Sequence, residues 1–427
     1  MLALRNATLP RTLASGVSRQ YESTAAAAVL RGHNQDIASR TNAGQLTSRT
    51  QARFVTRSIE SNKGDRERVV VLGSGWAGYT LARDLDPKKY QVVVVSPRSY
   101  FVFTPLLAST STGTLEFRTA LEPVRSRRTK VEFFQGWADS VDFAAKTLSI
   151  EEAAKKGKMF EMSYDKLVVA VGCYSQTFGT PGVKENAYFL KDTASLPTTS
   201  DEMKKQLLNF AVVGGGPTGI EFSAELHDLI SEDMAKLYPE LMQYYKITVY
   251  DVAEKVLSMF DDKLAKFAIE RFTREGIDVK TSHHVKSLRR GAPKKLKETA
   301  SGDEVIKDEA SCYTIDLKEE GEVGVGMVVW STGLMMNPFI SKSLAKPYTI
   351  PISSAAVETP SDAKSWNIST HPRSGGIMTN DRLRVIMQPS DQKADDKDTG
   401  RAIINDVYAL GDCAIMENSA YPATAQI

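Results

Sequence analysis

The chain has 427 residues, 42% of them hydrophobic, and a formal net charge of +2. That is material for two or three packed domains, and so balanced a charge gives no sign of a nucleic-acid partner. No run of 18 apolar residues is present to cross a membrane, and Cys173, Cys312 and Cys413 fit no metal, disulfide or CxxxxC redox spacing.

The first segment, 1–60, differs from the rest. It carries Arg5, Arg11, Arg19, Arg31, Arg40, Arg49, Arg53 and Arg57 without a lysine, and Glu22 and Asp36 are its only acids before Glu60. Arg-rich, Ser-rich and acid-poor composition predicts a mitochondrial transit peptide, which takes no part in the fold. Then Val69 to Leu72, an apolar run with three valines, stops at Gly73-Ser74-Gly75-Trp-Ala77-Gly78. A helical stretch, Tyr79 to Leu85, and a second apolar strand, Gln91 to Val95, follow. Strand, glycine turn, helix and strand is the setting a dinucleotide fingerprint requires. Such units usually end their second strand on an acid that holds a ribose; here Ser96 stands there, with Arg98 within reach of a phosphate. The run Tyr100, Phe101 and Phe103 reads as a loop packed on the core.

Val131–Phe134 and Thr147–Ile150 read as short strands, and Tyr164 to Gly172 as an apolar strand that ends on small residues. A second fingerprint begins at Phe210: strand, then Gly214-x-Gly216-Pro-Thr218-Gly219, then a helix with Glu221 and Glu225. The strand Lys246 to Tyr250 ends in Asp251, an acid that suits an unphosphorylated ribose and repels a 2′-phosphate. Two complete fingerprints in one chain are far more specific than one. Asp262–Glu275 has helical periodicity, with Leu264, Phe267, Ala268 and Phe272 predicted on the buried face. The Lys-rich stretch Gly291 to Ser311 reads as a hairpin loop, and Val325 to Gly333 repeats the accessory-strand pattern of Val168 to Gly172. Lys346–Ser374 and Ser390–Gly400 are rich in Pro, Ser and Asp and predict loops or partly disordered inserts. Finally Asp406 to Ala414 is a strand ending in Gly411-Asp412, a carboxylate able to accept from ribityl hydroxyls.

Taken together these segments resemble the type II, single-subunit NADH:quinone oxidoreductases, in their fungal mitochondrial form. The resemblance runs over about 68–427, through Leu72 to Gly78, Ser96 to Leu107, Tyr164 to Gly172, Val212 to Phe222, Ala409 to Cys413 and Pro422 to Gln426. It implies an α/β fold of two Rossmann-like dinucleotide-binding domains, an FAD domain of 66–191 and 341–427 with an NADH domain of 192–340 inserted in it. It also implies FAD at the first fingerprint with Thr104, Pro105 and Asp412, NADH at the second with Asp251, and Glu221 near the nicotinamide. Gly172, Gly333 and Ala425 would line the cofactors, and Gln426 would stand near the flavin and the quinone entrance. The implied reaction takes a hydride from NADH to the flavin and passes electrons to ubiquinone without proton pumping. The implied place is the surface of the mitochondrial inner membrane, and a homodimer is compatible with it. A reductase with another acceptor, such as a ferredoxin, and an inactive short form are the rival readings. Members of that family continue beyond Gln426 into membrane-seating helices, so the resemblance predicts that this chain, as written, lacks the anchor. The short stretch Leu190–Phe210, interrupted by Pro197, points likewise to an incomplete gene model or splice form.

Overall fold

The computed structural model describes residues 62–125, 130–153, 157–187, 201–294, 312–349, 355–359, 365–390 and 400–418. The expectations for the leader, for Pro197, and for Ala425 and Gln426 lie outside these residues.

The valine-rich strand β1 (Glu67–Leu72) passes through Gly73 into helix α1 (Trp76–Asp84), three residues earlier than expected, and returns as β2 (Tyr90–Ser96). A ribbon of β3 (Tyr100–Val102) and β4 (Leu121–Pro123) encloses a tight turn, Thr104–Leu106, and the short helix α2 (Leu107–Ser111). Next come the antiparallel strands β5 (Glu132–Asp142), β6 (Thr147–Glu152) and β7 (Met159–Ser163), then β8 (Lys166–Val169) and β9 (Cys173–Ser175). Helix α3 (Asp201–Leu207) leads into the second unit: β10 (Asn209–Val213), α4 (Pro217–Asp228), β11 (Lys246–Tyr250), α5 (Asp262–Glu275) and β12 (Ile277–Lys280). The antiparallel trio β13 (Val285–Arg290), β14 (Tyr313–Leu317) and β15 (Gly321–Val325) follows, then β16 (Met327–Trp330) and β17 (Leu334–Met336). The last strands are β18 (Ala355–Thr359), β19 (Trp366–Ile368), β20 (Ile377–Thr379), β21 (Arg384–Pro389), β22 (Arg401–Ala409) and β23 (Ala414–Met416).

Two parallel layers organise these pieces. In the larger sheet β5, β2, β1, β8 and β22 lie side by side, all parallel, with Val70 opposite Val93 and Leu167. The smaller sheet runs β12, β11, β10, β16, also parallel, with Val212 opposite Val249 and Val329. Both place the first strand between its second and its accessory strand, the order of doubly wound nucleotide folds. The strands need no polar side: Val70, Val71, Val93, Val94, Val212 and Val249 are fully buried, and in the smaller sheet α4 and α5 cover one face while β13–β15 cover the other. The larger sheet draws strands from both sides of the smaller one in sequence, and the ribbon β9–β17 is the paired crossing between them.

Two details differ from the sequence reading. In α5 the bounds agree, and Ala268 and Phe272 face the core as read, but Leu264 and Phe267 do not. Leu264 and Phe267 are 46% and 55% exposed, while Ala265 and Phe272 are buried and Ala268 and Ile269 pack beside them. Second, the stretch read as a loop around Lys346–Ser374 contributes strands: β18 pairs with β22 and β19 with β21. The helix of the second fingerprint is extended by a π-helical turn over Leu229–Met234, which buries Ile230.

One surface pair sets an acid response. On the turn between β14 and β15, Glu319 accepts the His284 backbone N–H at 2.8 Å and faces His284 Nδ1 at 2.9 Å. The backbone donor first, and the ring second, hold its carboxyl down at about 2. A depressed carboxylate stabilises the fold above its unfolded value, about 4.3, and that contribution is lost as the pH falls toward the folded value. Glu319→Gln is therefore expected to lower Tm at neutral pH and to converge on the parent curve in strong acid. A parallel Tm-against-pH curve down to acid would contradict the assignment.

Candidate functional site

The two glycine loops are built alike, and the likeness goes below the motif. Gly73 and Gly214 have φ of 110° and 112°, a region side-chain-bearing residues rarely enter. A Cβ on Gly73 would run into the Ala170 carbonyl, and one on Gly214 into the Ser331 carbonyl. In each unit the turn thus lies against the chain leaving the accessory strand. The third glycines, Gly78 and Gly219, let their helices press on the carbonyls of Gly73 and Gly214. The middle glycines, Gly75 and Gly216, face open space, where a ligand can approach the bare backbone. Both are helix N-caps without a side-chain cap, and neither helix has an acid in its first turn. The first N–H groups of α1 and α4 are therefore left for an anion.

Around the first loop the carboxyl ends of β1, β8 and β22 converge. A side chain on Gly411 would meet Ala77 Cβ at 2.9 Å, which sets the Gly411–Asp412 turn against α1. The Leu410 N–H donates to the Val169 carbonyl at 3.1 Å, so Asp412 stands across from Gly172 and Cys173. Cys173 Sγ donates to Asp412 Oδ2 at 3.4 Å, and burial, then the Asp412 charge, push its thiol up to about 12. Ser96 is buried, its hydroxyl 2.9 Å from Ser74 Oγ and accepting the Arg98 N–H at 3.3 Å. Ser74 Oγ reaches the carbonyls of Arg98 and Tyr100 at 3.1 Å, so both serines tie the loop to the end of β2, while the Arg98 side chain is exposed.

Pro105 is the second residue of the turn after β3, and Trp76 Nε1 donates to Thr104 Oγ1 at 3.0 Å. The Trp76 ring packs edge-on to Phe101 at 5.0 Å and tilted to Phe103 at 5.1 Å. Trp76→Phe would keep the packing and drop the donor. Loss of one hydrogen bond, about 1 kcal/mol, predicts a roughly fivefold weaker flavin Kd in a titration of the apoprotein. An unchanged Kd would mean that Thr104 needs no support.

At the second loop Asp251 accepts the Gly215 N–H through Oδ2 and the Ala253 N–H at 2.7 Å through Oδ1. Thr218 is half-buried in the first turn of α4. Gly333 takes the Gln176 N–H on its carbonyl at 2.8 Å, and the Gln176 carbonyl accepts Trp330 Nε1 at 2.9 Å and Thr332 Oγ1 at 2.7 Å. Glu221 lies on an accessible face of α4; partial desolvation first, then the Glu225 carboxylate, raise its carboxyl above the ordinary range. The structure thus gathers Gly73, Ser74, Gly75, Ala77, Gly78, Gly172, Gly411 and Asp412 at one loop and Gly214, Gly216, Thr218, Gly219 and Asp251 at the other. Trp76, Cys173 and Gln176 were not singled out in the sequence. A tryptophan inside a glycine fingerprint was the one available signal among them.

A family model described as pyridine nucleotide-disulphide oxidoreductase matches residues 67–349. The chain belongs to the pyridine nucleotide-disulphide oxidoreductase family. Within that family it is 40% identical over 310 residues to the external alternative NAD(P)H-ubiquinone oxidoreductase B4, mitochondrial, of Arabidopsis thaliana, covering 67% of this chain and 50% of the relative. It is 36% identical over 382 residues to a probable NADH dehydrogenase of Dictyostelium discoideum, covering 85% and 71%. The structure of NDH2 from Plasmodium falciparum in complex with NADH superposes with a TM-score of 0.62 at 26% identity, over 82% of this chain and 65% of that one. The resemblance to the type II enzymes and the fold of two Rossmann-like domains read from the motifs are borne out. The chain spans half the length of the Arabidopsis relative.

Proposed function

We propose that the chain is an FAD-dependent NADH:ubiquinone oxidoreductase that pumps no protons. The observation that carries this reading is the doubled glycine loop: two uncapped helix N-termini, each at the carboxyl edge of a parallel sheet, within one chain. The residues fit two dinucleotides, since the open positions of Gly75 and Gly216 are cradles that any side chain would fill. FAD, when bound, supplies two-electron exchange between a nicotinamide and a quinone.

The chain's own residues then bind, orient and insulate. Gly73 to Gly78 and the α1 N-terminus would hold the FAD pyrophosphate, with Ser96 and Arg98 on the adenosine side. Asp412 would accept from the ribityl hydroxyls, and the Cys173 thiol, kept protonated, would share that carboxylate. Thr104, Pro105 and Gly172 would border the flavin. Gly214, Gly216, Thr218 and Gly219 would hold NADH, Asp251 would exclude a 2′-phosphate, and Gly333 would flank the nicotinamide. Glu221 would stand beside the nicotinamide as a proton-holding group at its accessible end. Ala425 would line the cofactors, and Gln426 would stand near the flavin and the quinone entrance.

In this reading 66–191 and 341–427 form the flavin domain and 192–340 the NADH domain. The Arg-rich leader and the word mitochondrial in the relatives' names support a site on the mitochondrial inner membrane surface. No helix among the described residues is long and apolar enough to cross a membrane, which fits peripheral seating. The test is a flavin spectrum of the purified chain from Ser61 onward, then NADH and NADPH oxidation with a short-chain ubiquinone. Bound flavin with quinone-dependent turnover that favours NADH is expected; absence of flavin would overturn the reading. Turnover with artificial acceptors alone would reassign the acceptor.

A further inference from the structure

Glu225 has a part that no nucleotide fingerprint asks for. It stands one helical turn beyond Glu221 on α4, and both oxygens of its carboxylate are taken by the other unit. Ser109 Oγ donates to Oε1 at 2.6 Å and Thr114 Oγ1 donates to Oε2 at 3.0 Å. Ser109 belongs to α2, and Thr114 lies on the turn behind it, which the Leu115 N–H closes onto the Ser109 carbonyl at 3.2 Å. Helix α2 begins directly after the Thr104–Leu106 turn, whose Thr104 hydroxyl is held by Trp76 of the first fingerprint. A continuous mechanical path thus joins the two glycine loops: Trp76, Thr104, α2, Glu225 and, one turn back, Glu221. Its link across the units is charge-assisted at both oxygens, and such bonds are about twice as strong as neutral ones. A glutamine would offer one acceptor oxygen where two hydroxyls donate.

We propose that Glu225 is a positioning residue, which, gripped by Ser109 and Thr114, fixes the Thr104–Pro105 turn against Glu221 and so sets the approach of the nicotinamide to the flavin. This inference rests on the function proposed above. It makes α4 a spacer between the two cofactor sites as well as the floor of one of them. Positional error of an ångström between reacting groups costs on the order of a hundredfold in rate, so a two-oxygen grip at this point has leverage. After partial desolvation, the same carboxylate is the second cause that raises the Glu221 carboxyl, so Glu225 bears on both spacing and protonation at the nicotinamide end.

Three variants of the flavin-loaded chain test it: Glu225→Gln, Ser109→Ala with Thr114→Val, and their combination. Bleaching of the flavin by NADH in rapid mixing separates the limiting rate from the NADH half-saturation, and thermal unfolding is followed in parallel. Glu225→Gln and the hydroxyl pair should each slow the limiting rate about tenfold with half-saturation within about twofold. The combination should be no slower than the worse of the two, because all three remove the same contact. The pH midpoint of bleaching should fall in Glu225→Gln and stay in place in the hydroxyl variant, which keeps the charge. Unchanged rates, or effects that multiply in the combination, would overturn the proposal even with normal flavin and quinone turnover. A parent chain without flavin would instead defeat the functional reading. In that event the unfolding cycle still judges the grip: Tm losses that fall short of their sum support it, and fully additive losses overturn it.

Discussion

Gly214→Ala is expected to abolish bleaching of the flavin by NADH while leaving the flavin bound, and Gly73→Ala to empty the flavin site. Each glycine meets two separate penalties. Its φ, 112° or 110°, is strained for any residue with a Cβ, at about 1–3 kcal/mol. The new methyl would also run into the carbonyl of Ser331 or Ala170, just past the carboxyl end of the accessory strand. Relief requires those strands to part, yet β1, β8, β10 and β16 are buried on both faces and their registers are continuous. Overpacking of that kind costs another 1–3 kcal/mol or so. A combined loss near 3 kcal/mol weakens a ligand about a hundredfold, before any displacement of the helix N-terminus from the phosphates is counted. Flavin-to-protein absorbance ratios and NADH titrations check the pair of variants. Near-parent NADH affinity in Gly214→Ala would remove the second fingerprint from the site.

Those glycines were legible because their demands are local. A turn at positive φ, a bare backbone for a ligand and a helix packed close on a strand all fall within six residues, and both motifs held. The bounds of α5 were legible too, and the structure sets them with Asp261 as cap and Gly276 at a left-handed C-cap. Its buried face was legible only in part. Leu264, Phe267, Ala268 and Phe272 read as one stripe, whereas the buried one is Ala265, Ala268, Ile269 and Phe272; periodicity fixes the period and leaves the phase open to about a residue. The phase is decided by Val256, Leu257 and Val279, which leave room under the helix for the small Ala265 and for Ile269. Composition failed in a different way between Lys346 and Ser374. Serines and prolines lower strand propensity, but β18 and β19 gain their hydrogen bonds from β22 and β21, partners that no window of sequence contains. The same holds for the link between the two units. Glu225 is 116 residues from Ser109 and 111 from Thr114, and a serine, a threonine and a glutamate at such separations form no pattern.

Asp251→Asn is expected to narrow the preference for NADH over NADPH by about ten- to a hundredfold, chiefly by lowering the KM for NADPH. The acid stands just past the end of β11 with one oxygen on the Gly215 N–H of the glycine loop and the other on the Ala253 N–H of its own turn. It therefore has two tasks, to brace the loop and to keep a fixed negative charge beside the ribose position, and the substitutions separate them. At an effective dielectric constant of about 20, unit charges 5 Å apart repel by roughly 3 kcal/mol, and partial exposure reduces that toward 1–2 kcal/mol. Asparagine removes the charge and still accepts the Ala253 N–H, but its NH2 cannot accept the Gly215 N–H, so Tm should fall by about half of what alanine costs. Alanine leaves two backbone donors unpaired, at about 1–3 kcal/mol each, and should weaken both nucleotides together with a fall in Tm. The comparison to make is kcat/KM for the two nucleotides at low and high ionic strength. An electrostatic barrier predicts that the parent loses part of its discrimination as salt rises, while Asp251→Asn changes little. An unaltered ratio in Asp251→Asn would confine Asp251 to bracing the loop, and the exclusion of a 2′-phosphate would then have to come from the shape of the Val252–Lys255 turn.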